Sequence, residues 1–405
     1  MTKNDRFPAV KPRAAPGNAL AFYALAVWLA LACAYAWRIP PGDAPDERAH
    51  VHNVLYLQKD GVIPPFPWPR DPYGYETVQP PLYYHLCWMA IQPLRASGPW
   101  AMLEAMRAVS MLLHLGALWF LWAASKRLLG QAAWGPFILA AGTPMFAFAG
   151  AVVNNDAAAD LAGALLIYLS LRSLDSRRLR NAVLIGAAAG AGVLCKMTVL
   201  PVAAVCLAAL WKPGRAERAS SLKRLGAGGA AFAAVSGWLF IRNVRLYGDL
   251  LAYKPLLAYD VDRYAWRDAG RWLVLFFESF WGRFGQMTRP MPGFLYVLLA
   301  ILSALAGAGW IRSGRRLIGL PGRKFLAAVF AASLAAAAVH GFFLSYQPQA
   351  RHVFPAMAAW AVLFWDGLSV WAPEDRRSRL AFSVGAAALL VAAQWAAWDR
   401  LRALL

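Results

Sequence analysis

The chain contains little charge for its length. Only 15% of its 405 residues are charged and 60% are hydrophobic, whereas soluble domains are about 25% charged and about 45–50% apolar. Long runs of Ala, Leu, Val, Phe and Trp recur from end to end. The low charge excludes an ordinary soluble globular protein, and the repeated apolar runs predict an all-α integral membrane protein.

Acidic residues and cysteines are scarce. The chain has 21 Asp and Glu against 41 Lys and Arg, a formal net charge of +20. The basic residues stand in short clusters between apolar runs, which is typical of membrane proteins and argues against a nucleic-acid partner. The four cysteines form no CxxC pair. They are therefore interpreted as small buried hydrophobic residues rather than as a disulfide framework.

The apolar runs predict about eleven transmembrane helices. The predicted spans are residues 19–37, 109–125, 133–153, 157–171, 182–194, 199–211, 225–241, 294–311, 325–346, 353–371 and 380–398. The first is interpreted as an uncleaved anchor, because it is nearly of full spanning length. Residues 81–91 are too short to cross a bilayer, so they predict an interfacial helix that begins after Pro80 and Pro81.

Charge gives the predicted orientation. With the N-terminus in the cytoplasm, the short inside loops hold more than half of the Lys and Arg residues and few of the acids. The two long segments, residues 38–108 and 242–293, then lie outside. We expect one transmembrane domain over residues 1–405, with no separate soluble domain.

Several polar motifs follow one another on the predicted outer side. The most informative is Pro45-Asp46-Glu47-Arg48-Ala49-His50. Together with Asp43 and Ala44 before it, this motif predicts a helix that starts with an Asx cap at Asp43, has Pro45 and then acids in its first turn, and ends at Gly61. Acidic groups beside a bilayer are unfavourable unless they have a function. The other motifs are residues 76–84, 154–156, 196–198, 241–243 with 246–249, and 349–352.

Together and in this order, these motifs resemble the GT-C class of membrane glycosyltransferases. The branch they resemble is that of protein O-mannosyltransferases and aminoarabinose transferases, and the resemblance covers nearly the whole chain. It implies a donor sugar carried on a polyprenyl phosphate or pyrophosphate, and chemistry at the outer membrane face. It also implies a first-loop acid as general base or metal ligand. Many relatives carry a C-terminal soluble domain, which we do not expect in this sequence, so the identity of the acceptor is not carried over.

The two first-loop acids are the candidate catalytic residues. A carboxylate must take the proton from the acceptor hydroxyl as the anomeric carbon becomes electron-deficient. Asp46 is the preferred base and Glu47 the nearest alternative, while the structural alternative is that Asp43 and Asp46 only cap the helix.

The mixture of carboxylate and imidazole groups in this loop suggests a second hypothesis, a divalent metal site. Glu47, His50, Glu76 and His85 are ligand types that suit Zn²⁺ or Mn²⁺, and Mg²⁺ is a further candidate. The alternative is simple hydrogen bonding at the membrane interface. The sequence leaves both readings open.

Three cations are candidates for binding the donor phosphate. They are Lys196, Arg351 and Arg242. For Lys196 the alternative partner is a buried Asp, and for Arg242 the alternative is an interface anchor. Candidate substrate-binding residues are Glu76, Tyr84, Asp156 and His352.

The resemblance, together with these residues, implies a hexosyl- or pentosyltransferase of the cell envelope. It would move a sugar from a polyprenyl-phosphate donor to a hydroxyl of an envelope glycan, lipid or protein, on the outer face of a bacterial inner (plasma) membrane. The alternative is a transporter or flippase for a lipid-linked sugar or another anion. The transferase hypothesis requires Asp46, Asp156, Lys196 and Arg351 to converge on one cavity.

Overall fold

The fold is taken from a computed structural model of the full chain. It describes residues 17–66, 73–259, 266–344, 347–372, 390–397 and 399. Within these residues the α-helices are, in chain order, α1 Gly17–Arg38, α2 Glu47–Asp60, α3 Leu82–Ile91, α4 Gly98–Leu129, α5 Trp134–Ala141, α6 Pro144–Gly150, α7 Asp156–Asp175, α8 Leu179–Cys195, α9 Leu200–Ala208, α10 Arg218–Tyr247, α11 Tyr253–Tyr259, α12 Ala269–Trp281, α13 Gly293–Gly319, α14 Arg323–Ala338 and α15 Met357–Ser369.

The remaining regular structure is short. Residues 390–397 are also helical. A π-helical turn, Val339–Leu344, continues α14, and a 3₁₀ turn, Ala350–Ala356, leads into α15. Two-residue strands β1 (Arg283–Phe284) and β2 (Arg289–Pro290) pair antiparallel, with Arg283 opposite Pro290. The predicted all-α class is confirmed.

Six helical segments of the described chain are long and apolar enough to cross a membrane, as expected of a multi-pass membrane protein. They are Leu20–Arg38, Leu82–Ala141, Asp156–Asp175, Arg215–Tyr247, Gly293–Gly319 and Arg323–Leu344. Helices α8 and α9 are apolar but shorter. The number of about eleven spans stays a prediction, and most of the predicted span 380–398 lies outside the described residues.

One predicted span is divided. Residues 133–153 form α5 and α6, which are separated at Gly142 and Thr143. The break has a local cause, because Pro144 has no N–H to continue the hydrogen-bond ladder and instead occupies the first turn of α6. Thr143 turns its hydroxyl back to the Leu139 carbonyl, at 2.8 Å.

Small residues let the helices approach closely and thereby locate the turn that carries Arg351. A Cβ at Gly163 of α7 would come 2.0 Å from the carbonyl oxygen of Pro355. Only a residue without a side chain permits this backbone contact. The contact presses the 3₁₀ turn against α7, whose first residue is Asp156.

The loop before α2 is held by the later loop that contains β1 and β2. Gln286 Nε2 donates to the carbonyls of Gly42 and Ala44, at 3.0 and 2.9 Å. Arg289 Nη1 lies 3.0 Å from Asp43 Oδ2. These long-range contacts fix the backbone that leads to Asp46.

Candidate active site

Asp46 occupies a strained backbone position. Its φ is 61° and its ψ 0°, in the left-handed region that is unfavourable for residues other than glycine. The helix predicted to begin around Asp43 begins one residue after Asp46 and ends at Gly61, as predicted. Asp46 stands at the N-cap position but makes no side-chain capping hydrogen bond. Its carboxylate is therefore not used as a cap and is directed to tertiary partners.

Those partners come from two distant segments. Tyr75 Oη donates to Asp46 Oδ1 at 3.0 Å, and Arg351 Nη2 donates to Oδ2 at 2.5 Å. The Asp46 side chain remains 26% exposed, whereas that of Arg351 is 5% exposed. Asp46 is thus oriented by two donors but still reaches open space.

Arg351 joins Asp46 to a second acid. Its other terminal nitrogen, Nη1, lies 3.2 Å from Asp156 Oδ2, and Lys196 Nζ lies 2.6 Å from Asp156 Oδ1. The structure therefore brings Asp46, Arg351, Asp156 and Lys196 together, and these four residues are called the ion cluster below. With two acids and two bases, its formal charge is zero.

The local charges and burial shift the pKa values of two neighbouring carboxyl groups, Asp46 and Glu76, in opposite directions. Burial would raise the pKa of Asp46, but Arg351 and then the other nearby cations hold that pKa below its ordinary value. Burial, and then the negative charge of Asp46, raise the pKa of Glu76 to about 7. Asp46 is therefore ionised at neutral pH, whereas Glu76 is partly protonated.

Glu47, the alternative base, is fully engaged. Its two oxygens accept from Arg107 Nε and Nη2, each at 2.9 Å. They also accept from the backbone N–H of Gly42 at 2.9 Å and of Val153 at 3.1 Å. Both side chains of the Glu47–Arg107 pair are 0% exposed. The assignment of Glu47 as catalytic or metal-binding is therefore corrected, since this carboxylate has neither solvent access nor free acceptor capacity.

The proposed metal ligands do not form a site. His50 Nδ1 lies 2.8 Å from the hydroxyl of buried Tyr84, and burial lowers the pKa of His50 to about 3. His85 is exposed and its Nδ1 is 2.9 Å from the carbonyl of Pro81. With Glu47 bound to Arg107, the predicted ligand set is dispersed. No group of three or more His, Cys, Asp or Glu side chains in the described residues is arranged to hold a metal ion.

The remaining candidate binding residues, Arg242, His352 and Lys196, differ in their position relative to the ion cluster. Arg242 hydrogen-bonds its neighbour Asn243 at 3.3 Å and lies 6.0 Å from the ring of Tyr247, which fits the interface-anchor alternative. His352 follows Arg351 and packs edge-on against His340, with ring centroids 5.5 Å apart. Lys196 pairs with a buried Asp, which is the alternative weighed for it from the sequence. The contacts of Arg242 with Asn243 and Tyr247 lie outside the ion cluster, whereas Lys196 is one of its members.

Asp46 lies on the wall of a polar cavity of about 330 Å³. Its lining includes Arg271, Arg283, Gln286 and Gln349. A second, larger cavity of about 550 Å³ lies between α12, α13, α14 and α15 and is almost entirely apolar and aromatic. The described chain thus offers a charged chamber at Asp46 and an apolar chamber among the helices.

Sequence reasoning missed several residues of this region. Tyr75 orients Asp46, Arg107 neutralises Glu47, and Arg271 lines the polar cavity. For Arg107 a signal existed, because it stands at the edge of a long apolar run where a cation requires a partner. The roles of Tyr75 and Arg271 depend on contacts across more than twenty-five residues of sequence.

A family model described as dolichyl-phosphate-mannose-protein mannosyltransferase matches residues 79–241. The matched segment includes Asp156 and Lys196, whereas Asp46 and Arg351 lie outside it. No curated protein matched the chain.

The fold is similar to that of a solved archaeal oligosaccharyltransferase. The apo enzyme of Archaeoglobus fulgidus gives a TM-score of 0.60 at 14% identity, over 95% of this chain and 56% of that one. The same enzyme with zinc and sulfate gives 0.56 at 14% identity, over 94% and 53%. The form named AglB, in complex with an inhibitory peptide and a dolichol-phosphate, gives 0.50 at 15% identity, over 96% and 55%.

This chain spans about half the length of those structures, and at such identities the similarity concerns the fold alone. The family match is an independent, sequence-level comparison, and it agrees with the resemblance seen in the motifs. The fold and the family match over residues 79–241 both support the resemblance to the GT-C class of membrane glycosyltransferases.

Proposed function

We propose that this protein transfers a sugar from a polyprenyl-phosphate donor to an acceptor hydroxyl. The observation that carries the proposal is the position of Asp46, an ionised carboxylate on the wall of a polar cavity. Its backbone is strained and it serves no capping role. Such strain is retained where the surrounding structure holds a residue for function.

The chemistry is a direct displacement at the anomeric carbon. The acceptor oxygen forms a bond to that carbon as the bond to the phosphate oxygen breaks, and the phosphate leaves with the electron pair. Asp46 takes the proton of the attacking hydroxyl. Attack from the side opposite the phosphate inverts the anomeric configuration.

The ion cluster orients the base. Arg351 bridges Asp46 and Asp156, and Lys196 holds Asp156 from its other oxygen. Because both cations are engaged by carboxylates, Lys196 and Arg351 act here as positioning residues rather than as the main phosphate ligands. This changes the role that the sequence predicted for them.

A polyprenyl-phosphate donor is favoured by the comparisons and by the two cavities. The matching family is described by a dolichyl-phosphate-mannose donor, and one structure of similar fold contains a dolichol-phosphate. An apolar cavity of about 550 Å³ suits part of a prenyl chain. With the basic loops in the cytoplasm, Asp46 would face the extracytoplasmic side.

The test is a transfer assay on the purified full chain. It uses labelled polyprenyl-phosphate sugars and envelope lipid, glycan and protein fractions as acceptors. Asp46→Asn is expected to lower transfer by about 100-fold or more, as for loss of a general base. Asp60→Asn is the matched control: Asp60 is an exposed acid at the last position of α2, and its loss should change the rate little.

Two outcomes would contradict the proposal. Full activity in Asp46→Asn would remove Asp46 as the base. Movement of the labelled lipid across vesicle membranes, with no sugar transferred by the wild type, would favour the transporter alternative.

A further inference from the structure

The polar cavity beside Asp46 has one cation whose charge is not balanced by a partner. Asp46 is balanced by Arg351, and Arg283 Nη1 lies 2.5 Å from Glu278 Oε2. Arg271 lines the same cavity, is exposed, and has no ion-pair partner among the described residues. The chamber that holds the base therefore carries an excess positive charge.

The chemistry of this cation favours a phosphate. A guanidinium presents a planar fork of N–H donors that matches two oxygens of a phosphate group. Arg283, whose charge is balanced by Glu278, lines the same cavity, and its Nε donates to the Met287 carbonyl at 2.5 Å. A phosphate ester bound to Arg271 would place its sugar in the same cavity as Asp46, so that the acceptor oxygen attacks on the side of Asp46 and the phosphate leaves on the side of Arg271.

Helix α12 connects the polar cavity to the apolar one. Arg271 and Leu275, one turn apart, line the polar cavity, whereas Phe276 and Phe280, also one turn apart, line the apolar cavity. With 3.6 residues per turn these pairs lie on different faces of the helix. An amphipathic ligand with an anionic head and an apolar tail matches both surfaces of α12.

Helix α12 is also tied to the ion cluster. Trp272 Nε1 donates to the Gly341 carbonyl at 2.7 Å. Ser279 Oγ donates to the Pro348 carbonyl and accepts from the Ala350 N–H, each at 2.9 Å. Because Ala350 precedes Arg351, a ligand on Arg271 and the carboxylate of Asp46 are held by one connected framework.

We propose that Arg271 binds the phosphate of the lipid donor. This deepens the proposed function, on which it rests, and gives the phosphate role to a residue other than Lys196, Arg351 or Arg242. Arg271 would hold the phosphate before transfer and stabilise the charge that develops on it as the sugar leaves.

The experiment measures binding separately from transfer. A long-chain polyprenyl monophosphate, the uncharged polyprenol and inorganic phosphate are titrated onto the full chain in detergent. Arg271→Ala is expected to weaken binding of the polyprenyl phosphate roughly 10- to 100-fold, as for loss of a hydrogen-bonded charge pair. Arg271→Lys should be intermediate, because it keeps the charge and loses the fork. Arg242→Ala is the matched control and should bind as the wild type does.

The outcomes distinguish the two proposals. Loss of lipid-phosphate binding in Arg271→Ala alone supports the site, even if the wild type transfers no sugar, in which case only the proposed function fails. Unchanged binding and donor KM in Arg271→Ala, in an enzyme that does transfer sugar, overturns the site and leaves the function standing. Equal, Arg271-dependent binding of inorganic phosphate would indicate a soluble phosphate ligand and overturn the assignment to the lipid donor.

Discussion

Two ion-pair networks begin at adjacent residues of the first long loop and have opposite properties. Glu47 and Arg107 are both 0% exposed, and every oxygen of Glu47 accepts hydrogen bonds. Asp46 is held by Tyr75 and Arg351 but remains 26% exposed on the wall of a cavity. One network is closed and stabilises the fold, whereas the other is open to a ligand.

The comparison shows what makes a carboxylate available for chemistry. Both acids stand at the start of α2 and carry the same functional group, a carboxylate. They differ in how many donors surround each oxygen and in whether space remains beside it. A pair of acids in sequence therefore does not indicate a pair of acids in a site.

The largest expected effect comes from breaking the closed network. Glu47→Gln would remove the buried counter-ion of Arg107 and leave it only the partly exposed Glu104, 3.4 Å away, so we expect a loss of about 3–5 kcal/mol in the free energy of unfolding. Thermal unfolding of the full chain in detergent measures it. The matched variant Asp46→Asn should lose much less, because its site is partly exposed and Arg351 keeps Asp156. Similar losses of unfolding free energy in the two variants would contradict the distinction between a closed, stabilising network and an open one.

A second effect depends on pH and concerns Glu76, beside the open network. The pKa of this carboxyl is raised from 4.5 to about 7 in the folded state. The folded protein then binds more protons than the unfolded chain between these values, so stability falls as pH rises through that range. The fall should be roughly 3 kcal/mol or less.

The variant Glu76→Gln tests this origin. It cannot ionise, so its thermal stability should stay flatter over the same pH range than that of the wild type. An unchanged slope in Glu76→Gln would place the titrating group elsewhere.

The smallest expected effect tests whether Lys196 positions the base in the open network or binds the donor phosphate. If Lys196 positions Asp156 and Arg351, Lys196→Met should lower kcat on the order of 10-fold through misplacement of the base, with little change in the donor KM. The measurement is steady-state transfer at varied donor concentration, normalised to folded protein. A raised donor KM with unchanged kcat would return Lys196 to the phosphate-binding role predicted from the sequence.

Much of the helical framework was predictable because it depends on local patterns. The apolar runs located α7, α8, α10 and α13, and Gly61 marked the end of α2. The break between α5 and α6 was missed, because a continuous apolar run does not reveal where Pro144 restarts the ladder. Hydrophobicity reports an average over many residues, whereas a kink depends on one.

The sequence by itself determined the class of the protein: an apolar, helical, basic-loop membrane chain with acids near Asp46 and Asp156 and cations at Lys196 and Arg351. Tertiary structure alone decided which charge meets which. In the folded chain Glu47 pairs with Arg107, and Asp46 pairs with Arg351, which is 305 residues away in sequence. Arg271 lines the polar cavity. The physical reason is that burial and pairing depend on distances between helices, and composition and periodicity carry no information about those distances.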